Sequence, residues 1–400
     1  MILRLYLTLI CALAVISATK AQIVPDDTVA GRLTVSLLTC APGDMVYELE
    51  GHTGLRLCRD GQDVTVHWGV FDFNAPNFIY RFVKGETDYS VGVVPTRYFI
   101  EEYRRSGRKV TEQVLDLTDS QAAEIVRLIQ ENLRPENRVY RYNYVLDNCA
   151  TRPLSIIEAA IGDTLSMPDT DIGLSKRPTF RSIMNRYHAN YPWYQFGIDI
   201  ALGSGIDYPV TVRQTAFAPV ILQRLMDGAT VTGGNGQRHI VSRTETLVEG
   251  DDSGMVSGPT PWWLSPMTAG ILVLLLSIGV TLRDISRRKV SRWFDVVVYT
   301  VYGLMGCVVA FLVFVSVHEA TSPNIQLLWL NPLCLIVPVA VWSRYGRRVV
   351  FGYQCVNMVS VMLFLILWSC GVQSMTSAVL PFVMADAVRS LNYIFIGRGK

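Results

Sequence analysis

The chain has 400 residues, 50% of them hydrophobic and 18% charged, with a net charge of +2 and a mean hydropathy of +0.28. Soluble proteins carry about 25% charged residues, so a wholly soluble chain is excluded; near-neutrality without a basic-aromatic stripe argues against a nucleic-acid partner. The deficit is uneven: residues 22–260 read as an ordinary globular protein, whereas 264–396 hold long stretches without charge.

Residues 1–21 have the form of a cleaved signal peptide, with Arg4, an apolar run Leu5–Ile16 and small residues over Ala18–Ala21. The rival reading is an uncleaved anchor helix, which the short apolar run disfavours, since spanning takes ~20 residues. From 33 to 110 the chain alternates short β-branched or aromatic runs (33–38, 54–58, 64–71) with turn formers at Ala41-Pro-Gly-Asp and Asp60-Gly-Gln-Asp. Periodicity turns helical over 119–133, where Asp119 or Ser120 can cap and Ile125, Leu128, Ile129 and Leu133 recur. A second helix follows Cys149, and the polar stretch 229–263 reads as a linker. An α+β exported domain over 22–228 results.

The C-terminal region offers five apolar spans, about 264–282, 296–317, 325–342, 349–370 and 375–396. Arginines and lysines follow the first (Arg283 to Arg292), the third (Arg344, Arg347, Arg348) and the fifth (Arg398, Lys400), while 318–324 and 371–374 hold none. By the positive-inside rule the former set is cytoplasmic and the domain before the first span lies outside, as a signal peptide also requires. Pro261-Trp262-Trp263 suits a membrane interface. Asp386 and Arg389, three apart in the last span, are positioned to pair on one helix face.

Without the leader, the exported part keeps Cys40, Cys58 and Cys149, an odd number that leaves at least one thiol free. Cys149 precedes the apolar helical run Leu154–Ile161, where a helix N-terminus would lower the thiol pKa and offer N–H groups to an oxyanion. The bland alternative is a buried structural thiol. The histidines available as base are His52, His67, His188 and His239. On a strand His52, Gly54 and Arg56 share the face opposite Thr53, Leu55 and Leu57, and Gly54 leaves room beside the imidazole. A Cys149–His52 pair is the nucleophile–base reading; a structural strand histidine is the other.

Gly51-His-Thr-Gly-Leu-Arg-Leu, followed about a hundred residues later by Tyr142-Asn-Tyr-Val-Leu-Asp-Asn-Cys-Ala-Thr-Arg-Pro, resembles the Lnb-type periplasmic domain of the Bacteroides-type lipoprotein N-acyltransferases. Residues 36–44, 68–78, 192–203 and 324–333 extend the resemblance over nearly the whole chain from about residue 33. Gly54 departs from it, standing where the family more often has alanine. The His-then-Cys order also resembles circularly permuted papain-like folds, among them lecithin:retinol acyltransferase and its phospholipid thiol-acyltransferase relatives. The implied fold is a permuted papain-like (NlpC/P60-like) α+β domain followed by an all-α five-helix transmembrane domain, in the inner (cytoplasmic) membrane with the N-terminal domain in the periplasm.

The resemblance implies acyl transfer from a phospholipid, through a Cys149 thioester, to the α-amine of a diacylglyceryl-cysteine lipoprotein, with His52 as base and no cofactor or metal. Asp72 is the expected third residue and His67 the runner-up. Arg56 and Arg152 are candidates for holding lipid phosphate; Asn148 is a further substrate-binding candidate, or with Asn143 orders the loop around Cys149. Whether Cys40 and Cys58 pair stays open, and the loop from His318 either lines a lipid entrance or is a solvated helix end. The rivals are a cell-wall peptidase or amidase, for which membrane spans are unneeded, and a non-catalytic scaffold. Metal catalysis is disfavoured: HExxH and CxxC are both missing, and Gly233-Gly234-Asn-Gly236 has the wrong spacing for a phosphate loop.

Overall fold

A computed structural model describes residues 31–162, 165–168, 177–233, 236–250 and 260–397; the expected signal peptide lies outside them. The exported domain is built on an antiparallel sheet of β1 (Thr34–Cys40), β2 (His52–Arg59), β3 (Gln62–Val70), β4 (Asp88–Pro95), β5 (Val110–Leu115), β6 (Val139–Arg141) and β10 (Val241–Val248), in the order β10-β5-β1-β2-β3-β4-β6. A smaller sheet pairs β7 (Leu165–Ser166), β8 (Thr230–Gly233) and β9 (Gly236–His239). The longer helices are α1 (Phe78–Lys84), α2 (Thr96–Arg105), α3 (Asp119–Leu133), α4 (Thr151–Ile161), α5 (Phe180–His188), α6 (Pro192–Ala201) and α7 (Pro219–Gly228). The stretch 229–248, expected as linker, therefore forms three strands. Its β10 is polar over Ser242–Thr246 and pairs with β5, which would otherwise be the sheet edge.

Alternation along the strands divides the domain into layers. Val35, Leu37, Leu55, Leu57, Val66 and Trp68 share one core with Ile125 and Ile129 of α3, Leu154 and Ile157 of α4, and Leu225 of α7. Leu38, Cys40 and Val110 face the other way, against Phe99 and Tyr103 of α2. Helix α3 is capped one residue earlier than expected, by Thr118, whose side chain accepts the Gln121 N–H while Gln121 bonds back to the Thr118 N–H.

Among the described residues four helices have the length and apolar character to cross a membrane: α8 (Pro266–Arg287), α9 (Arg292–Phe314), α10 (Arg344–Ser369) and α11 (Leu380–Gly397). The third expected span is not one helix. It consists of two 3-10 turns (Ile325–Leu328, Pro332–Leu335) and the short helix Ile336–Ala340. Pro332 and Pro338 each remove a backbone donor, and the segment is tolerated because one face of it is packed into protein while Leu333 and Val339 stay exposed. Trp329, Leu330, Cys334, Val337 and Val341 are all buried. It runs antiparallel to α9: a Cβ on Gly306 would lie 2.5 Å from the Asn331 backbone. Trp342 meets Trp293 at 4.7 Å, at the opposite end of α9 from the exported domain.

Asp386 and Arg389 do not pair. Arg389 reaches across to Asp295 (2.6 and 2.9 Å) and Asp284 (2.9 Å), whereas Asp386 accepts from Tyr299 Oη (2.9 Å) and Asn357 Nδ2 (2.8 Å). Helical spacing set them on one face, but stronger partners on neighbouring helices lie within reach.

The two parts are joined by more than the chain. Arg181 is fully buried and binds Asp199 (2.9 Å) and Asp207 (2.8 Å). The remaining oxygens of those carboxylates accept the Thr376 and Ser374 N–H groups, from the loop between α10 and α11. On the other side, the Val317 N–H donates to Lys84 O and the His318 ring contacts Phe82 O at 2.9 Å. The loop beginning at His318 is thus docked onto α1 rather than being a free helix end.

Candidate active site

Cys149 sits two residues before α4 and is 7% exposed. The loop leading to it is tightly folded: Asn143 and Asp147 exchange backbone hydrogen bonds at 3.1 and 3.0 Å, and Asn143 Oδ1 accepts the Val145 and Leu146 N–H groups. That turn returns Tyr142 beside the cysteine, with its hydroxyl donating to Sγ at 3.9 Å. Asn148 holds the helix start, accepting the Ala150 and Thr151 N–H groups at 2.8 and 2.9 Å and donating to Tyr144 O and Phe217 O. Asn148 is therefore fully occupied in ordering the loop.

The thiol lies against one end of the β2–β3 pair. Gly54 pairs with His67, and continuing that register sets Gly69 across from His52. A Cβ on Gly69 would stand 3.9 Å from Cys149 Cβ and 3.1 Å from the Tyr142 ring, and the residue has φ +90°, so glycine is required twice over. The Thr53 backbone N–H points to Sγ and, with the Tyr142 hydroxyl, pulls the thiol pKa down; burial is the larger effect and pushes it up to about 11. The helix terminus expected to give a thiolate is spent on Asn148, so the resting group is a neutral thiol.

His52 Nε2 meets His67 Nδ1 at 3.1 Å, and both rings pack on Phe99 of α2. Burial holds His52 well below its ordinary pKa, reinforced by the neighbouring His67 and the charge of Arg108. Burial alone brings His67 down to about 4. Both imidazoles are neutral near pH 7, as a base requires. His67, rather than Asp72, is the side chain in contact with His52. Asp72 is exposed and its Oδ1 accepts the Asn74 N–H at 2.8 Å, closing the turn after β3. Gly54 leaves no space for substrate: a Cβ there would meet Thr65 Cγ2 at 2.8 Å, so alanine requires Thr65 to shift.

Neither arginine presents a free fork. Arg56 is clamped between Asp63 (2.8 and 2.7 Å) and Glu112 (3.0 and 2.9 Å). Arg152 is held by Asp147 (2.6 and 2.7 Å) and lies 3.4 Å over the Tyr140 ring. Cys40 pairs with His52 while Cys58 pairs with Thr34, at the far end of the same ladder. Six residues at ~3.3 Å each separate them by about 20 Å, beyond any disulfide.

Sequence reasoning assigned no role to Tyr142, Arg108 or the buried contact of His188 with Glu50 at 3.0 Å. The run of turn formers between Tyr142 and Cys149 was the available sign for the first. Among the described residues no group of three or more His, Cys, Asp or Glu converges to hold a metal ion.

No curated protein matches the chain, and no solved structure does. Residues 22–186 match the Lnb N-terminal periplasmic domain and residues 259–400 the Lnb transmembrane domain. One match covers the domain that holds His52 and Cys149 and the other the helical region. With both of its parts accounted for, the chain belongs to the Lnb-type family of lipoprotein N-acyltransferases, a membrane protein with a periplasmic N-terminal domain.

Proposed function

We propose that the protein moves a fatty acyl chain from a phospholipid to the N-terminal amine of a diacylglyceryl-cysteine lipoprotein in the inner membrane, through a thioester on Cys149. The observation that carries this reading is the convergence, at one end of the β2–β3 pair, of a buried thiol with the Tyr142 hydroxyl and the Thr53 N–H aimed at its sulfur, next to a neutral His52–His67 pair.

His52 takes the thiol proton as Sγ attacks the ester carbonyl, forming the C–S bond. The Thr53 N–H and the Tyr142 hydroxyl, which already face sulfur, are the donors available to the developing oxyanion. Collapse breaks the ester C–O bond, and the lysophospholipid alkoxide leaves with the proton held on His52. The lipoprotein amine then attacks the thioester carbon and gives a proton to His52. The C–S bond breaks, the amide forms and His52 returns the proton to sulfur. Because the resting thiol is neutral, sulfur gains its charge only when base and ester are both in place, which protects the site from premature oxidation. His67 acts as a positioning residue that fixes the His52 ring.

The test is intact-protein mass spectrometry of the full chain in phospholipid vesicles, with Cys149→Ser and His52→Ala alongside. An acyl adduct that maps to Cys149, is released by hydroxylamine and transfers to a diacylglyceryl lipopeptide is expected. No adduct, together with a Cys149→Ser protein that still acylates the lipopeptide, would sink the cysteine mechanism.

A further inference from the structure

Between the exported domain and the membrane helices runs an open apolar groove of about 790 Å³. One wall is the β3–α1 turn and α1, with Phe73, Phe78, Ile79 and Tyr80; the other is α9, with Val308 and Phe311. Ile79 is 78% exposed, and Phe73 and Tyr80 are more than half exposed. A concave apolar surface between the two parts has the shape and lining to hold a hydrocarbon chain.

Its depth identifies what surrounds it. α9 ends at Phe314, and at ~1.5 Å per residue Val308 lies about 9 Å below that end. That is inside one leaflet of a ~30 Å hydrocarbon core, on the side where α1 docks through Lys84 and Phe82. A row of packed aromatic rings joins the wall of the groove to the buried thiol. From Phe78 the rings pass to Phe71 (5.9 Å), Tyr89 (5.3 Å) and Tyr142 (4.6 Å), and the Tyr142 hydroxyl touches Cys149 Sγ at 3.9 Å.

The geometry points to this groove as the seat of the donor phospholipid's acyl chain, drawn laterally from the outer leaflet so that its ester carbonyl is led along the aromatic wall to Cys149. The inference rests on Cys149 as the acyl-accepting group. The acceptor lipoprotein's chains need not approach sulfur, since only its amine reacts, whereas the donor ester must reach it; the aromatic continuity therefore selects the donor. Ile79, Val308 and Phe311 become the residues that set which chains fit.

The experiment uses full-length Cys149→Ser protein in vesicles containing phosphatidylcholine with a diazirine at the end of one acyl chain. After illumination, cross-links are expected on the peptides carrying Ile79 and Val308. They should fall about tenfold in Val308→Trp or Ile79→Trp and stay unchanged in Val301→Trp, a lipid-facing control two turns deeper on α9. Labelling spread around α9 and indifferent to both groove variants overturns the inference. So does preferential labelling by a diacylglyceryl lipopeptide bearing the same probe, which would seat the acceptor there. Parallel adduct measurement on the unsubstituted protein separates the two readings: groove labelling with no Cys149 adduct leaves a lipid site without the thioester.

Discussion

Replacing His67 by phenylalanine removes the side chain that hydrogen-bonds the His52 ring while keeping a similar aromatic volume against Phe99. The substitution removes the 3.1 Å contact and leaves His52 Nε2 buried without it. Leaving a buried nitrogen unsatisfied costs ~1–3 kcal/mol, so thioester formation should slow by about 5- to 150-fold, at ~1.4 kcal/mol per decade. Asp72→Asn is the matched control. An asparagine oxygen can still accept the Asn74 N–H that Asp72 Oδ1 holds, and the rate should stay within about twofold. The assay is the time course of the Cys149 acyl adduct by intact mass, with thermal unfolding confirming that both variants are folded. A His67→Phe rate close to that of the unsubstituted protein, or a tenfold loss in Asp72→Asn, would refute the assignment of His67 as the positioning ring.

The depressed pKa of His67 also predicts a pH effect on stability. Between its folded value of about 4 and its ordinary 6.5, the unfolded chain binds a proton that the folded one does not, so stability rises with pH across that window. The contribution is complete above about pH 6.5 and falls by about 3 kcal/mol on acidification to about pH 4, at 1.36 kcal/mol per unit; His67→Gln should flatten that part of the melting-temperature profile. Arg181→Met strands the buried Asp199 and Asp207 carboxylates and should cost about 3–5 kcal/mol, read as a lower unfolding temperature with faster proteolysis near 371–376. Arg389→Leu strands Asp284 and Asp295 in the same way and should cut folded yield sharply. Asp386→Asn, which keeps its bonds from Tyr299 and Asn357, should change the unfolding temperature by only a degree or two, about 1 kcal/mol or less.

Strands β1 to β3 were legible because each is a short β-branched or aromatic run bounded by turn formers, and the membrane helices because charge vanishes over their length. The strand β10 was not legible. Val241–Val248 is mostly polar on its exposed face, and its strand character comes from the β5 edge that it covers. The broken third span was missed for the opposite reason: its hydropathy is that of a helix, and only its close approach to Gly303 and Gly306 permits Pro332 and Pro338 to interrupt it. In the candidate site Cys149 and His52 stood out by residue type and motif. The choice between Asp72 and His67 needed the β2–β3 register, which sets Gly54 against His67 and so brings the two imidazoles onto one face. Local spacing similarly favoured Asp386 with Arg389, yet charges inside a helical bundle follow the neighbouring helices.

The ionic state of the thiol shows most clearly how tertiary structure overrides a local rule. A cysteine before a helix should be acidic if the first N–H groups are free to face it. Here Asn148 takes two of them, and the Tyr142 loop closes over sulfur, so burial prevails and the pKa rises to about 11. The same closure leaves the Thr53 N–H and the Tyr142 hydroxyl as the donors near sulfur, both on the side of the sheet end where His52 lies. A nucleophile that is neutral at rest depends on its base more than a preformed thiolate does. His52→Ala should therefore reduce adduct formation far more than in an enzyme whose cysteine is already ionised, by about 10³-fold or more where general-base catalysis alone is worth 10²–10⁴. Raising the pH toward 10 should restore part of that loss in His52→Ala, because hydroxide then ionises a growing fraction of the thiol. A His52→Ala rate that is low and flat from pH 7 to 10 would show instead that the imidazole does not act by removing the thiol proton.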